Sequence, residues 1–213
     1  MLTNKYNRFI LFLAVLAAVL YNDWFLGYFL NSQVAKSGLT SVLEANGQPD
    51  NWLFILTDVL TGFIICLMVY TLTRKIYLKA RMPIKSLLVI GLLMFGVFTA
   101  ASALMPLNCG SQITRCGAQL KETYGWHDVT GGVAAFGLFI ALVGLVNFMS
   151  KFKIASKNKK LAFITIYTWS ASGISYLIFT LLNRYYLLAQ QVFLVVSGLA
   201  IVVISLVLSA VNN

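Results

Sequence analysis

The stretch VFLVVSGLAIVVISLVL, residues 192–208, decides the fold class of this chain. It is apolar on every face, whether it is read with the period of a helix or with that of a strand. A membrane β-barrel requires segments of about ten residues that alternate between apolar and polar side chains. Within a bilayer, a helix closes its backbone hydrogen bonds inside one such segment, so residues 192–208 are predicted to form a membrane-spanning helix.

The rest of the sequence repeats this pattern. Hydrophobic residues make up 60% of the 213 positions and charged residues 10%, whereas a soluble domain carries about 25% charged residues. Runs of about 20 apolar residues match the hydrocarbon core of a bilayer, and six of them occur, at about 9–30, 52–73, 86–106, 126–149, 161–183 and 189–211. We therefore expect an all-α fold, a single integral membrane domain over residues 1–213 with six transmembrane helices. Gly96, Gly132 and Gly137 are among the small residues that would let neighbouring helices approach closely.

The first apolar run resembles a signal peptide, since Lys5 and Arg8 precede it. It is longer than the apolar core of a signal peptide, which has about 7–15 residues. We therefore expect residues 9–30 to remain in the protein as the first transmembrane helix.

The distribution of positive charge predicts the orientation of these helices. Twelve of the sixteen Lys and Arg residues lie near the N-terminus, in segment 74–85 and in segment 151–160. Short loops rich in Lys and Arg remain in the cytoplasm, so both termini are expected to be cytoplasmic and the protein to lie in the cell membrane. Anionic lipid headgroups are the expected partners of these loops. Nucleic acid is not expected, since neither a helix–turn–helix nor an aromatic-basic strand accompanies the net charge of +10.

All six acidic residues and the single histidine are predicted to lie outside the membrane or in its outer half. Asp58 follows Trp52 by six residues, which places it about 9 Å below the outer boundary, and Asp23 lies at about the same depth in the first helix. An ionisable group in a membrane helix costs about 2.5–3.5 kcal/mol on insertion scales, so it normally faces a protein interior or a wet cavity. Two interpretations remain: the aspartates are protonated structural groups, or they line a pocket that opens outward.

His127 is the candidate general base. It follows Trp126, which is predicted to mark the membrane interface. Adjacent residues on a helix point about 100° apart, so the next residue, Asp128, cannot orient the imidazole. A catalytic role therefore requires a carboxylate from another helix, Asp58 or Asp23. The alternative is a hydrogen-bonding or pH-sensitive histidine without a catalytic role.

Three further residues are candidates for ligand binding. Arg184 lies in the short turn between the last two helices, where it would hold a phosphate or a carboxylate at the mouth of a pocket, or else be a surface charge. Asp128 lies at the outer start of the fourth helix and Glu44 in an outer loop. They would complete the polar lining of the same site.

Cys109 and Cys116 are separated by six residues in the predicted outer loop after the third helix. Thiols outside the cytoplasm tend to oxidise, so a disulfide between them is expected. The alternative is a metal site, but two cysteines and one histidine at these intervals match no zinc pattern. No cofactor or metal is predicted, because the sequence has no Walker lysine loop, HExxH, GxSxG or paired haem histidines.

The sequence also resembles a known family. The segment TSVLEANGQPDNWLFILTDVLTG (40–62), followed by MPLNC (105–109) and WHDVTGG (126–132), is similar to family 998 of the domains of unknown function, small multi-helix membrane proteins of prokaryotes. The resemblance covers mainly residues 40–145 and falls on Glu44, Asn51, Asp58, Pro106, Cys109, Cys116 and His127. It implies the six-helix topology and a site on the outer face, and it implies no activity.

The function expected from the sequence is an outward-facing polar pocket that binds or processes a lipid headgroup or a small amphiphile. If a reaction takes place, we expect hydrolysis or group transfer with His127 as general base. The alternative is a non-enzymatic assembly, immunity or interaction component whose polar residues are structural. Proton-coupled transport through Asp23 and Asp58 is a third possibility, which the apolar inner half and the lack of an internal repeat make less attractive.

Overall fold

The computed structural model describes residues 2–32, 39–80, 87–107, 125–152, 154–182 and 184–209. Throughout these ranges all regular structure is helical, which confirms the predicted all-α class. The helices are α1 (Leu2–Leu20), α2 (Trp24–Leu30), α3 (Asn51–Ala80), α4 (Leu87–Ala103), α5 (Trp126–Lys151), α6 (Ser156–Leu181) and α7 (Tyr186–Ser209), with a 3₁₀ turn, η1 (Thr40–Val42), before α3.

The long helices pack against neighbours in an antiparallel bundle. Helix α4 packs between α3 and α5, helix α1 packs between α3 and α7, and α6 packs against α7. Asn7 near the start of α1 donates a side-chain hydrogen bond of 3.1 Å to the carbonyl of Ser209 at the end of α7. The rings of Phe139 and Trp169 stack with their centroids 6.3 Å apart, which joins α5 to α6 and closes the bundle.

Four helical segments are long and apolar enough to cross a membrane: Asn51–Arg74 of α3, and helices α5, α6 and α7. Helices α1 and α2 add a fifth if the bent pair is one span. Helix α4 is apolar and shorter, at 17 residues. The described residues therefore contain four clear candidates for membrane spans, whereas six spans and cytoplasmic termini remain predictions.

The predicted first helix, residues 9–30, is two helices in the structure, α1 and α2, which meet at an angle of 41°. The backbone N–H groups of Asn22 and Asp23 bond to carbonyls three residues back, those of Val19 and Leu20, instead of four. Asn22 also donates its side-chain amide to the carbonyl of Ala18 at 2.8 Å. Polar side chains that bond to the nearby backbone compete with the helical pattern, and the tighter turn bends the chain here.

Glycines bring α3, α4 and α5 into backbone contact. A Cβ atom on Gly62 would lie 2.3 Å from the carbonyl oxygen of Gly96, and one on Gly137 would lie 2.7 Å from the backbone nitrogen of Phe95. The close approach predicted at Gly96 and Gly137 is therefore confirmed. The same expectation is wrong for Gly132, because a Cβ there would have nothing within 4 Å.

Helix α2 and residues 39–50, together called the cap, cover one end of the bundle. Their buried apolar side chains form a small core of their own with the start of α3, composed of Trp24, Val42, Leu43, Ala45 and Phe54. Hydrogen bonds attach the cap to the bundle: Asn46 N–H donates to the carbonyl of Leu107 at 2.9 Å, and Thr40 N–H donates to Gln190 Oε1 at 2.8 Å. The loop before α3 is thus folded onto the helix ends.

Candidate functional site

Three carboxyl groups meet under the cap, and we call Asp23, Glu44 and Asp58 the acidic cluster. Asp23 comes from the bend between α1 and α2, Glu44 from the cap, and Asp58 from the second turn of α3. Glu44 and Asp58 share a hydrogen bond, and the charge of Asp23 acts on both. The structure therefore brings together the two aspartates that the sequence places at equal depth, and it adds Glu44.

The bend at residues 21–23 positions Asp23 for these contacts. Asp23 ends the tightened turn and begins α2, so its side chain leaves the chain where the helix axis changes direction. The hydroxyl of Thr57 donates a hydrogen bond to Asp23 Oδ2. Because Thr57 precedes Asp58 in α3, one helix turn supplies both a donor to Asp23 and the hydrogen-bond partner of Glu44.

Glu44 is the most buried member of the acidic cluster, with 9% of its surface exposed. Burial raises the pKa of Glu44 to about 8, the negative charge of Asp23 raises it too, and the hydrogen bond with Asp58 opposes these effects. A carboxylate only accepts hydrogen bonds, so the bond between Glu44 and Asp58 requires a proton on one of the two groups. Oε2 of Glu44 is buried and has no hydrogen-bond donor among the described residues.

Two tyrosines extend this polar region across the bundle. Tyr21 is within electrostatic reach of Asp58, Glu44 and Tyr176, and its ring packs edge to face against Phe95 with centroids 5.3 Å apart. Tyr176 of α6 is in turn within reach of Asp128. The two phenol groups thus lie within electrostatic reach of the acidic cluster at one end and of Asp128 at the start of α5 at the other. The sequence did not predict this position, because tyrosines in membrane proteins usually mark the interface.

Part of this polar region remains accessible. Protein atoms surround Asp23, Asp58, Tyr21 and Tyr176 on most sides. Each of these side chains nevertheless keeps some accessible surface and is only half-buried. Their polar atoms are therefore not fully enclosed by neighbouring side chains.

His127 has different partners. Its Nδ1 lies 3.0 Å from the carbonyl oxygen of Ser102, and the hydroxyl of Ser102 donates to the carbonyl of His127 at 3.1 Å. A carbonyl accepts hydrogen bonds, so Nδ1 of His127 is the donor in this contact. This reciprocal pair connects the end of α4 to the start of α5. The charge that acts on His127 is that of Asp128, and not that of the aspartates predicted to orient it.

The other predicted site residues lie in different places. Asp128 accepts a hydrogen bond of 3.2 Å from the N–H of Gly125 and thereby caps α5. Arg184 is exposed in the turn between α6 and α7.

Cys109 and Cys116 lie outside the described residues, so the disulfide stays a prediction. Among the residues that are described, no three His, Cys, Asp or Glu side chains are arranged to hold a metal ion.

The apolar helices, with a buried acidic cluster at one end of the bundle, are those of a multi-pass helical membrane protein. Residues 9–208 match a family described as protein of unknown function, DUF998. This match covers most of the chain, so the protein belongs to that family, and the resemblance extends beyond residues 40–145 to the whole bundle. Neither a curated protein nor a solved structure matches the chain.

Proposed function

We propose that the protein binds a lipid headgroup or a small amphiphile in a polar pocket between the cap and α3, lined by the acidic cluster. The observation that carries this proposal is the buried, unpartnered oxygen of Glu44 beside the carboxyl groups of Asp23 and Asp58. Buried polar atoms in native proteins are almost always hydrogen-bonded. An unpaired one costs about 1–3 kcal/mol, which a bound polar group would offset.

A second unpartnered atom in the same loop supports a binding site under the cap. Gln48 lies four residues after Glu44, is 8% exposed, and its Nε2 has no hydrogen-bond acceptor among the described residues. The half-buried state of Asp23 and Asp58 supports access to the cluster from outside the bundle. The loop thus contains one unpartnered acceptor and one unpartnered donor, four residues apart in the chain.

The location of the charges supports a pocket that faces the outer leaflet. In the sequence, the basic segments 74–85 and 151–160 fall where α3 and α5 end, whereas the cap precedes the start of α3. Under the rule that short basic loops are cytoplasmic, the cap and the acidic cluster face outward. The proposal therefore includes six spans, with α4 as a short one, and cytoplasmic termini in the cell membrane.

Binding is favoured over catalysis by the contacts of His127. Its imidazole is held by the Ser102 carbonyl, and the carboxyl groups of the acidic cluster act on one another instead. Catalysis by a general base requires the base within hydrogen-bond reach of the reacting group, with a partner that orients it for that purpose. Asp128 and Arg184 are retained as ligand-binding candidates at the rim.

The alternative is a non-enzymatic assembly or interaction component. The hydrogen bonds of Thr57 to Asp23 and of Asp58 with Glu44 join α3 to the bend before α2 and to the cap, and they favour this alternative. In that case the cluster stabilises the cap, and no ligand is required.

Lipid retention distinguishes the two functions. The protein is extracted from vesicles of total bacterial polar lipid, washed through detergent exchange and weighed by native mass spectrometry. We expect wild-type protein to retain one lipid or amphiphile, and Asp58→Asn to lose it while its thermal unfolding midpoint shifts little. Asp50→Asn is the control, because Asp50 is an exposed acid of the same loop and asparagine tolerates its positive φ of 57°. A variant that is only less stable, with retention unchanged, favours the structural alternative.

A further inference from the structure

We infer that the ligand of this pocket carries a protonated amine next to a hydrogen-bond-accepting group, as a phosphoethanolamine headgroup does. The inference rests on the proposed function and narrows its ligand class. It depends on the carboxyl groups of the acidic cluster, whose charged forms a neighbouring cation would stabilise, and on two unpartnered atoms of opposite hydrogen-bonding character.

The charge of the site favours a cation. Within the described part of the chain, the charges that act on Glu44 and Asp58 come from other carboxyl groups, and neither Lys nor Arg contributes. One proton satisfies the hydrogen bond between these two groups, and Asp23 receives its hydrogen bond from a neutral threonine. A buried charge is costly unless it is paired. A cationic ligand would provide that pairing, whereas an anionic headgroup would meet like charge.

An ammonium group fits the free acceptor. Glu44 Oε2 is buried and unpartnered, so it can accept a hydrogen bond without displacing another donor. A protonated primary amine has three donors and no acceptor, which matches a site of several carboxyl oxygens. A metal ion is a poorer match, because the described His, Cys, Asp and Glu side chains form no metal-holding group of three.

The unpartnered donor, Nε2 of Gln48, requires a hydrogen-bond acceptor in the ligand next to the amine. Gln48 Oε1 accepts a hydrogen bond of 3.3 Å from Asn31 Nδ2, which fixes the orientation of the amide and leaves Nε2 as the free end. Gln48 Nε2 is a donor and Glu44 Oε2 is an acceptor, and within the described ranges neither has a partner, so they do not bond to each other. A phosphate oxygen next to an ammonium group would satisfy both atoms at once.

The test is a competition between short-chain lipids on the full-length protein in detergent. Dihexanoyl phosphatidylethanolamine is compared with dihexanoyl phosphatidylglycerol, with its own N-acetyl derivative, which lacks the positive charge, and with free phosphoethanolamine. Native mass spectrometry measures the bound fraction of each. We expect phosphatidylethanolamine to bind at least about tenfold more tightly than the two lipids without an amine charge.

Each outcome has a definite meaning. Equal binding of phosphatidylethanolamine, its N-acetyl derivative and phosphatidylglycerol overturns the amine inference and leaves a lipid site in place. Absence of any bound probe overturns both this inference and the proposed function. Free phosphoethanolamine that competes as well as the lipid supports the amine inference and shows that the ligand is a soluble amphiphile or metabolite instead of a lipid.

A variant pair assigns the selectivity to the acidic cluster. Glu44→Gln keeps the shape of the side chain but cannot ionise beside a bound ammonium group, and we expect it to reduce the preference for phosphatidylethanolamine to about twofold or less. Asp50→Asn removes an exposed charge from the same loop and should keep the wild-type preference. If Glu44→Gln does not fold, the lipid series on the unmodified chain still decides the question.

Discussion

Glu44 and Asp58 share a hydrogen bond, although one lies in the cap and the other two turns inside α3. This contact folds a loop carboxyl group back against a helix that is long and apolar enough to cross a membrane. The stability of the contact between the cap and α3 therefore depends on the protonation of Glu44.

The first prediction concerns pH. The folded-state pKa of Glu44 is raised from 4.5 to about 8, so its protonated form stabilises the fold. That contribution is fully present below pH 4.5 and is lost as the pH rises through about 8, with a slope of at most about 1.4 kcal/mol per pH unit. We expect the thermal midpoint of the wild-type protein in detergent to fall between pH 5 and pH 9.

The variant Glu44→Gln should show a flatter profile over the same pH range, because glutamine does not titrate. Asp23 and Asp58 are present in both proteins, so the difference between the two profiles reports Glu44 together with its interaction with these two groups. Asp50→Asn should follow the wild-type curve. Parallel profiles of wild type and Glu44→Gln would show that the loop carboxyl group is not held as the structure indicates.

The second prediction concerns the hydrogen bond between Thr57 and Asp23. Thr57→Val keeps the shape of the side chain and removes the donor, which should lower the free energy of unfolding by about 1–3 kcal/mol. Thr73→Val is the control in the same helix, because the Thr73 hydroxyl bonds only to the carbonyl of Tyr70 at 2.9 Å. Chemical denaturation in mixed micelles measures both. Equal effects of the two substitutions would contradict the assigned contact.

The third prediction separates the structural role of His127 from a catalytic one. His127→Asn places an amide donor near the position of Nδ1, so the bond to the Ser102 carbonyl can form, and stability should stay close to wild type. His127→Gln places its donor further out and should destabilise by about 1–3 kcal/mol. We expect both variants to retain the bound amphiphile. Loss of binding in His127→Asn with unchanged stability would instead place the imidazole in the site.

The fourth prediction concerns the contact between α4 and α5. Gly137→Ala puts a Cβ atom 2.7 Å from Met94 Cβ, inside the normal contact distance, and should destabilise the protein by about 1–3 kcal/mol. Gly132→Ala lies in the same helix with nothing within 4 Å of the added carbon, so its unfolding midpoint should be unchanged or slightly higher. The two thermal midpoints, measured side by side, check the helix contact.

The fifth prediction concerns Cys109 and Cys116, which we expect to form a disulfide. Alkylation of the denatured protein before and after reduction should show two additional modified thiols after reduction. Cys66, a free thiol in α3, should react in both samples. Three reactive thiols before reduction would contradict the disulfide.

Hydropathy predicted the helices well, because a bilayer imposes length and composition on any segment that crosses it. It did not predict the bend at Asn22 and Asp23, since the apolar run continues on both sides of these two polar residues. Helical rise also placed Asp23 and Asp58 at equal depth, and the structure brings their side chains into one cluster.

The position of Glu44 was not predictable in the same way. A helix fixes the depth of each residue through its rise, whereas a loop residue has no such constraint. The sequence placed Glu44 in an outer loop, but the apolar side chains of Val42, Leu43 and Ala45 bury the surrounding segment. Gln48 was not predicted as a site residue for the same reason, since the orientation of its amide depends on the hydrogen bond from Asn31, which forms only in the folded cap.

The glycine contacts of α3, α4 and α5 have a mechanical consequence. Helices whose backbones touch through Gly62 and Gly137 cannot slide by a residue without driving a side chain into a neighbouring main chain. Asp58 therefore lies on one of three helices, α3, α4 and α5, whose close backbone contacts restrict their relative movement. Glu44 is mounted on a cap that hydrogen bonds and a small apolar core attach to the bundle. We therefore expect a change in the separation of these two carboxyl groups to come from movement of the cap and not from movement of α3.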